Sequence, residues 1–205
     1  MNSILLVTSS PRGSQSISTQ IARDLVGSLV DADPDAIVVH RDLGANPIPH
    51  LDGVTTSAIR KAPDDRDAAE TAAVAESDAL VAELLAAKTV VIATGLINFS
   101  IQSTLKSWID NVARAGLTFR YTAEGPEGLA TGKKVYVILS AAGLYSEGPA
   151  ATMEHAAPYL KTVLGFMGMT DIEIIRIEGL AFGEEAAARA IDGAREKAQA
   201  FSRAA

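Results

Sequence analysis

Five short apolar runs punctuate this chain at Ile4–Thr8, Ala36–Val39, Thr89–Ala93, Val135–Leu139 and Ile172–Ile177, and stretches of helical periodicity separate them. No other feature limits the possible folds as strongly as this alternation. Four of the runs are near-continuous in apolar residues, as in strands buried on both faces of a parallel sheet. The fifth, IEIIRI, partly alternates and suits a sheet edge. In 16–30, Ile17, Ile21, Leu25 and Leu29 recur every fourth residue and form one apolar stripe. Residues 66–87 are strong helix formers. In STLKSWIDNVARAG, Leu105, Trp108, Ile109 and Val112 share a face, with Gly116 as the expected C-cap. Pro158 marks the start of a helix through Tyr159, Leu160, Val163, Leu164 and Met167, since proline breaks a helix interior. Residues 184–203 form the last helix.

The order β-α-β-α-β-α-β-α-β predicts an α/β fold: a doubly wound, five-stranded parallel sheet with helices on both faces and right-handed crossovers. For five strands the expected order is the flavodoxin-like 2-1-3-4-5, in one domain spanning 1–205. Segments 42–65 and 117–133 are long for plain connections, and long loops in a compact domain are often functional.

Composition removes several function classes. A net charge of −7, with no basic run longer than Lys133–Lys134, argues against nucleic acid. The absence of cysteine excludes disulfides, thiolate metal sites and a cysteine nucleophile. MNSILLVTSS has no basic n-region, and no run approaches the roughly 20 apolar residues of a membrane span. The expectation is a soluble cytoplasmic protein. His40 reads as structural, His50 as a turn residue and His155 as a surface residue of a helical stretch. Their spacing gives no metal site. The acidic pairs Asp64–Asp65 and Glu184–Glu185 read as helix starts favoured by the dipole.

In this architecture ligands bind outside the carboxyl ends of the strands, where the strand order reverses. The loops there read SSPRGSQSIS (9–18), TGLINFSIQS (94–103) and SAAGLYSEG (140–148). The first feeds a helix N-terminus, where unpaired amides and the dipole favour an anion. It is rich in serine and has no lysine. It matches neither GxxxxGK[ST] nor GxGxxG, so a nucleoside triphosphate and a Rossmann dinucleotide are both disfavoured. On its own it reads equally as a phosphate-monoester site or as an ordinary turn with an N-cap. TGLINF and SAAG add backbone amides and small side chains that a flat ring can approach. A phosphate pocket beside two such walls points to FMN. Trp108 reads as core. Serine after the first strand, where a phosphoacceptor receiver needs paired acids, rules out that class.

Four segments carry a resemblance: SSPRGSQSIS at 9–18, RDLGANPIPHLD at 41–52, NFSIQSTLKSWIDNVARAGLTFRYTAEGPEGLATGKK at 98–134 and YLKTVLGFMGM at 159–169. Together they resemble the FMN-dependent NADH-azoreductases, within the flavodoxin-like NAD(P)H:quinone oxidoreductases, over nearly the whole chain. The resemblance places the FMN phosphate on Ser10, Ser16, Ile17 and Ser18. It places the ring on Leu96, Ile97, Asn98 and Phe99, and on Ser140, Ala141, Ala142 and Gly143. Where the family usually reads P-M-Y-N-F this chain has Gly95 to Phe99; where it reads S-R-G-G, Ser140 to Gly143; and where it reads I-P-S, Gln102 replaces the proline.

The resemblance further implies tight, non-covalent FMN, NADH or NADPH as donor, and ping-pong two-electron transfer to quinones or to azo or nitro aromatics. It names no catalytic side chain, since the flavin carries the chemistry. It puts Tyr121 and the 117–122 segment at the acceptor pocket. It also implies a homodimer whose flavin pockets draw on both subunits, through the 42–65 loop and the helix around 104–115. Two other readings of the same fold are a flavodoxin-like electron carrier and a divergent paralogue with weak or lost reductase activity.

Overall fold

The computed structural model describes residues 3–204. Five parallel strands form the sheet: β1 (Ser3–Thr8), β2 (Ile37–Asp42), β3 (Thr89–Gly95), β6 (Lys134–Ser140) and β7 (Asp171–Ile177). Their order is β2-β1-β3-β6-β7, the expected 2-1-3-4-5 once a separate antiparallel hairpin, β4 (Phe119–Thr122) with β5 (Gly125–Gly128), is set aside. The six helices are α1 (Ile17–Ala32), α2 (Gly53–Ala58), α3 (Ala68–Ala86), α4 (Ser103–Val112), α5 (Ala156–Phe166) and α6 (Glu184–Ala204).

Alternation along each strand divides the core into two layers. On one face Leu5, Val7, Val90, Ile92, Val135 and Val137 pack against α3, α4 and α5. On the other, Ile4, Leu6, Val91, Ala93, Tyr136 and Ile138 meet α1 and α6. The central strands β1, β3 and β6 are buried on both sides, so their sequences run continuously apolar. Trp108 is fully buried in the first layer, as read from the sequence.

Several local expectations need correction. The run at Ala36–Val39 belongs to an edge strand, β2, and Ile37 and Val38 are exposed; an edge position removes the neighbour that would cover them. IEIIRI lies at the other edge, as expected. Helix α4 stops at Val112, and Gly116, with φ +80°, turns the chain after the helix has ended. The Thr118 hydroxyl donates to the Val112 carbonyl (2.7 Å) and accepts from the Arg114 amide (2.8 Å), taking up groups that another helical turn would use. Arg114 is itself buried, with Nη1 donating to Ser77 Oγ and pairing with Asp78 on α3. Helix α5 opens at Ala156, so Pro158 falls within its first turn, where a missing amide costs nothing. His155 is the exposed N-cap of that helix and lies outside its body. The long segments are structured: 42–65 holds α2 and a short 3-10 turn at Pro63–Asp65, and 117–133 holds the hairpin.

Candidate functional site

Loops after β1, β3, β6 and β7 surround a hollow of about 350 Å³ at the carboxyl ends of the strands. A larger hollow of about 920 Å³ lies at the opposite, amino end. There Lys134 pairs with Asp171, and Lys133, its pKa lowered by burial, donates to the carbonyls of Leu85 and Ala87 at the end of α3. Those charges are already engaged. The carboxyl end, by contrast, gathers helix N-termini and loops that face outward.

The β1 loop builds one wall. Ser16 is the N-cap of α1, and its hydroxyl accepts from the Thr19 amide and lies 3.1 Å from Ser18 Oγ. The first-turn amides of a helix have no partner within it, and the dipole makes that end positive. Gly13, at φ +53°, bends the chain through a 3-10 turn so that Ser10 and Ser16 share the hollow. Ser10 Oγ accepts from the Arg12 amide. Arg12 is exposed and lines the hollow, adding a cation. Beneath, Leu43 N–H donates to Thr8 O at 2.7 Å and holds the β2 loop against this wall. A Cβ on Gly44 would sit 2.3 Å from the Ser10 carbonyl oxygen, so only glycine permits that approach.

The β3 loop is a tight two-residue turn. Ile97 and Ser100 exchange both backbone hydrogen bonds, and Asn98 (φ +46°) and Phe99 (φ +69°) both lie in the left-handed region. Positive φ at both centres is the signature of a type I′ turn. Asparagine tolerates it, whereas phenylalanine is strained there. Two anchors hold the turn: Leu96 N–H donates to Ser140 O (2.8 Å) and His155 N–H donates to Phe99 O (2.9 Å). The Phe99 ring meets Tyr145 edge-on.

The β6 loop closes the third side. Ala141 N–H donates to Ile177 O, and the segment after β7 returns two bonds, Leu180 N–H to Ala141 O and Ala181 N–H to Ala142 O. Small side chains leave the backbone of this loop open to a flat molecule.

Of the residues singled out in the sequence, Ser10, Ser16, Ile17, Leu96, Ile97, Ser140, Ala141 and Ala142 line this one hollow. Ser18 is buried behind Ser16. Asn98 and Phe99 form the turn tip, Gly143 lies against the Tyr145 ring, and none of the four lines the hollow. Tyr121, on the hairpin, is 74% exposed and does not line it either. Sequence reasoning missed Leu180 and Ala181 as lining residues; Arg12, the fixed cation of the 9–18 loop, lines the hollow as well. Gln102, seen only as a departure from the usual proline, lines it as well.

The donor set tests well against a flavin mononucleotide. Hydroxyls, helix amides and one arginine stand at one end, which suits a phosphate monoester. Aliphatic side chains and bare backbone stand at the other, which suits a planar ring. Among the described residues no group of three or more His, Asp or Glu is placed to hold a metal, and no helix is long and apolar enough to cross a membrane.

Compared with known proteins, the chain matches the family model described as Flavodoxin-like fold over residues 2–201. It is 63% identical over 205 residues, the full length of both chains, to an FMN-dependent NADH:quinone oxidoreductase of Agrobacterium fabrum. It is equally similar to one from Rhizobium johnstonii. Among solved structures, an azoreductase from Bacillus anthracis strain Sterne superposes with a TM-score of 0.91 at 34% identity, covering 98% of this chain and 99% of that one. An FMN-dependent NADH-azoreductase of the same species, solved in complex with FMN, gives 0.87 at 26% identity over 98% and 100% of the two chains.

Proposed function

The chain belongs to the flavodoxin-like family of FMN-dependent NADH:quinone oxidoreductases, and from that premise we propose that the hollow after β1, β3 and β6 binds FMN for two-electron reduction of quinones, with azo aromatics as further acceptors. One observation carries this reading: a single cavity joins a serine-capped helix N-terminus to a wall of Leu96, Ile97, Ala141 and Ala142. Ser10, Ser16 and the Ile17 and Ser18 amides would hold the phosphate, with Arg12 screening its charge. Leu96, Ile97 and the amides of the Asn98–Phe99 turn would face one side of the ring, and Ser140 to Gly143 its edge. Bound there, FMN would supply reversible two-electron chemistry, taking a hydride from NADH and passing the pair to an acceptor in turn, a ping-pong cycle.

The protein's own part is to bind, orient and exclude water. The exposed faces of Ile97 and Phe99 give an aromatic acceptor an apolar surface to stack on. The whole chain serves as one cytoplasmic flavin-binding domain and works as a homodimer. Val54 on α2, in the candidate interface segment 42–65, is an exposed apolar residue and supports the dimer. Tyr121, 74% exposed on the hairpin and outside its own chain's hollow, would reach an acceptor only through the dimer.

The test is a visible spectrum of protein reconstituted with FMN under anaerobic conditions. We expect the oxidised-flavin band to bleach on adding NADH and to return on adding benzoquinone. Protein that takes up no FMN, or a band indifferent to NADH, overturns the proposal.

A further inference from the structure

We propose that Gln102 is a cofactor contact in its own right, with its amide NH2 donating a hydrogen bond to a ribityl hydroxyl oxygen of the flavin. The inference rests on the FMN reading above. Gln102 is the N-cap residue of α4 but makes no capping bond to its own helix. Only 9% exposed, it lines the hollow and reaches across to the first strand's loop. Its Oε1 accepts from Ser9 Oγ at 2.5 Å, and that hydroxyl also lies 3.1 Å from the Ala93 carbonyl oxygen.

A serine hydroxyl has one proton to donate. At 2.5 Å the contact to Gln102 has the length of an O–H···O bond, and the Ala93 carbonyl is already served by the Ser9 amide, so Ser9 Oγ donates to Gln102 Oε1. This network turns the amide nitrogen outward. Nε2 stands beside Gly95, 3.9 Å from where a Cβ on that residue would lie; Ser140 Oγ is 3.4 Å from the same point. Glycine at 95 therefore leaves a polar notch flanked by an NH2 donor and a hydroxyl. The notch lies in the hollow shared by the phosphate-side serines and the Leu96–Ile97 wall. The part of FMN that joins phosphate to ring is the ribityl chain, whose hydroxyl oxygens accept hydrogen bonds. A proline at 102 could provide neither the tether to Ser9 nor the donor.

The test is equilibrium binding, read by flavin fluorescence, of FMN, riboflavin and lumiflavin to wild-type protein and to Gln102→Leu. Lumiflavin has the ring but neither ribityl chain nor phosphate. Losing one hydrogen bond of ordinary worth predicts affinities for FMN and riboflavin about 5- to 15-fold weaker, with lumiflavin unchanged. Equal weakening of all three ligands would make Gln102 a support for the loop, and no weakening would remove it from the site; either overturns the proposal. Gln102→Ala, in which Ser9 Oγ can turn its proton to the Ala93 carbonyl, gives the same readout if the leucine variant does not fold. Wild-type protein that binds lumiflavin and riboflavin equally well refutes the ribityl contact alone, whereas wild type that binds no flavin refutes the FMN reading with it.

Discussion

At the residue scale, Ser16 separates two roles that one substitution can tell apart. It caps α1 and it faces the hollow. Aspartate caps a helix as well as serine does, so Ser16→Asp keeps the fold while placing a negative charge where the phosphate would sit. We expect unchanged thermal stability and FMN affinity weakened at least tenfold, about 1.4 kcal/mol or more, by titration calorimetry. His40 gives a pH prediction. Its Nε2 lies 3.0 Å from Thr8 Oγ1, and burial, aided by Arg23 and opposed by Asp42, pushes its pKa below the usual value. The folded state thus favours neutral His40. Its contribution is present above about pH 6.5 and is lost as the pH falls through the lowered folded value. Urea midpoints should fall between about pH 7.5 and pH 5, and His40→Gln should make that fall shallower. The residues legible in the sequence were those that directly follow a strand, because the architecture alone aims them at the ligand side. Leu180 and Ala181 reach the hollow only through backbone pairing with the β6 loop, which no local pattern announces.

At the element scale, the turn after β2 is a structural part of the first wall. Gly44, in RDLGAN, sits with its backbone pressed on the Ser10 carbonyl. Gly44→Ala must push the two loops apart. We expect a loss of about 1–3 kcal/mol in urea unfolding, the usual cost of overpacking, together with weaker FMN binding. A surface turn that merely needed glycine's flexibility would lose stability without losing affinity. The hairpin β4–β5 shows the same economy: a Cβ on Gly128 would sit 2.1 Å from the Gly168 amide nitrogen, so the hairpin is seated on the turn after α5. Helical pattern found α1, α3, α4, α5 and α6 but not α2 in the 42–65 loop, and not where the helices stop. The end of α4 is set by Thr118 and by the burial of Arg114, both tertiary events.

At the scale of the whole molecule, strand order followed from alternation and length alone, since five parallel strands with right-handed crossovers have few ways to close both faces. Oligomeric state has no such local signature. With a subunit of 21.4 kDa, the proposed dimer predicts twice that mass by native mass spectrometry at micromolar concentration. A monomer that still reduced quinones at full rate would remove the dimer, and Tyr121 with it, from the mechanism. The anchored Asn98–Phe99 turn also has a consequence for how a ligand arrives. Left-handed backbone at a phenylalanine costs about 1–3 kcal/mol, and the amide leading into α5 already holds it in place. That expense falls on folding, so the bed for the ring is rigid before anything lands on it. Association should then be a simple one-step encounter, its rate proportional to flavin concentration with no plateau.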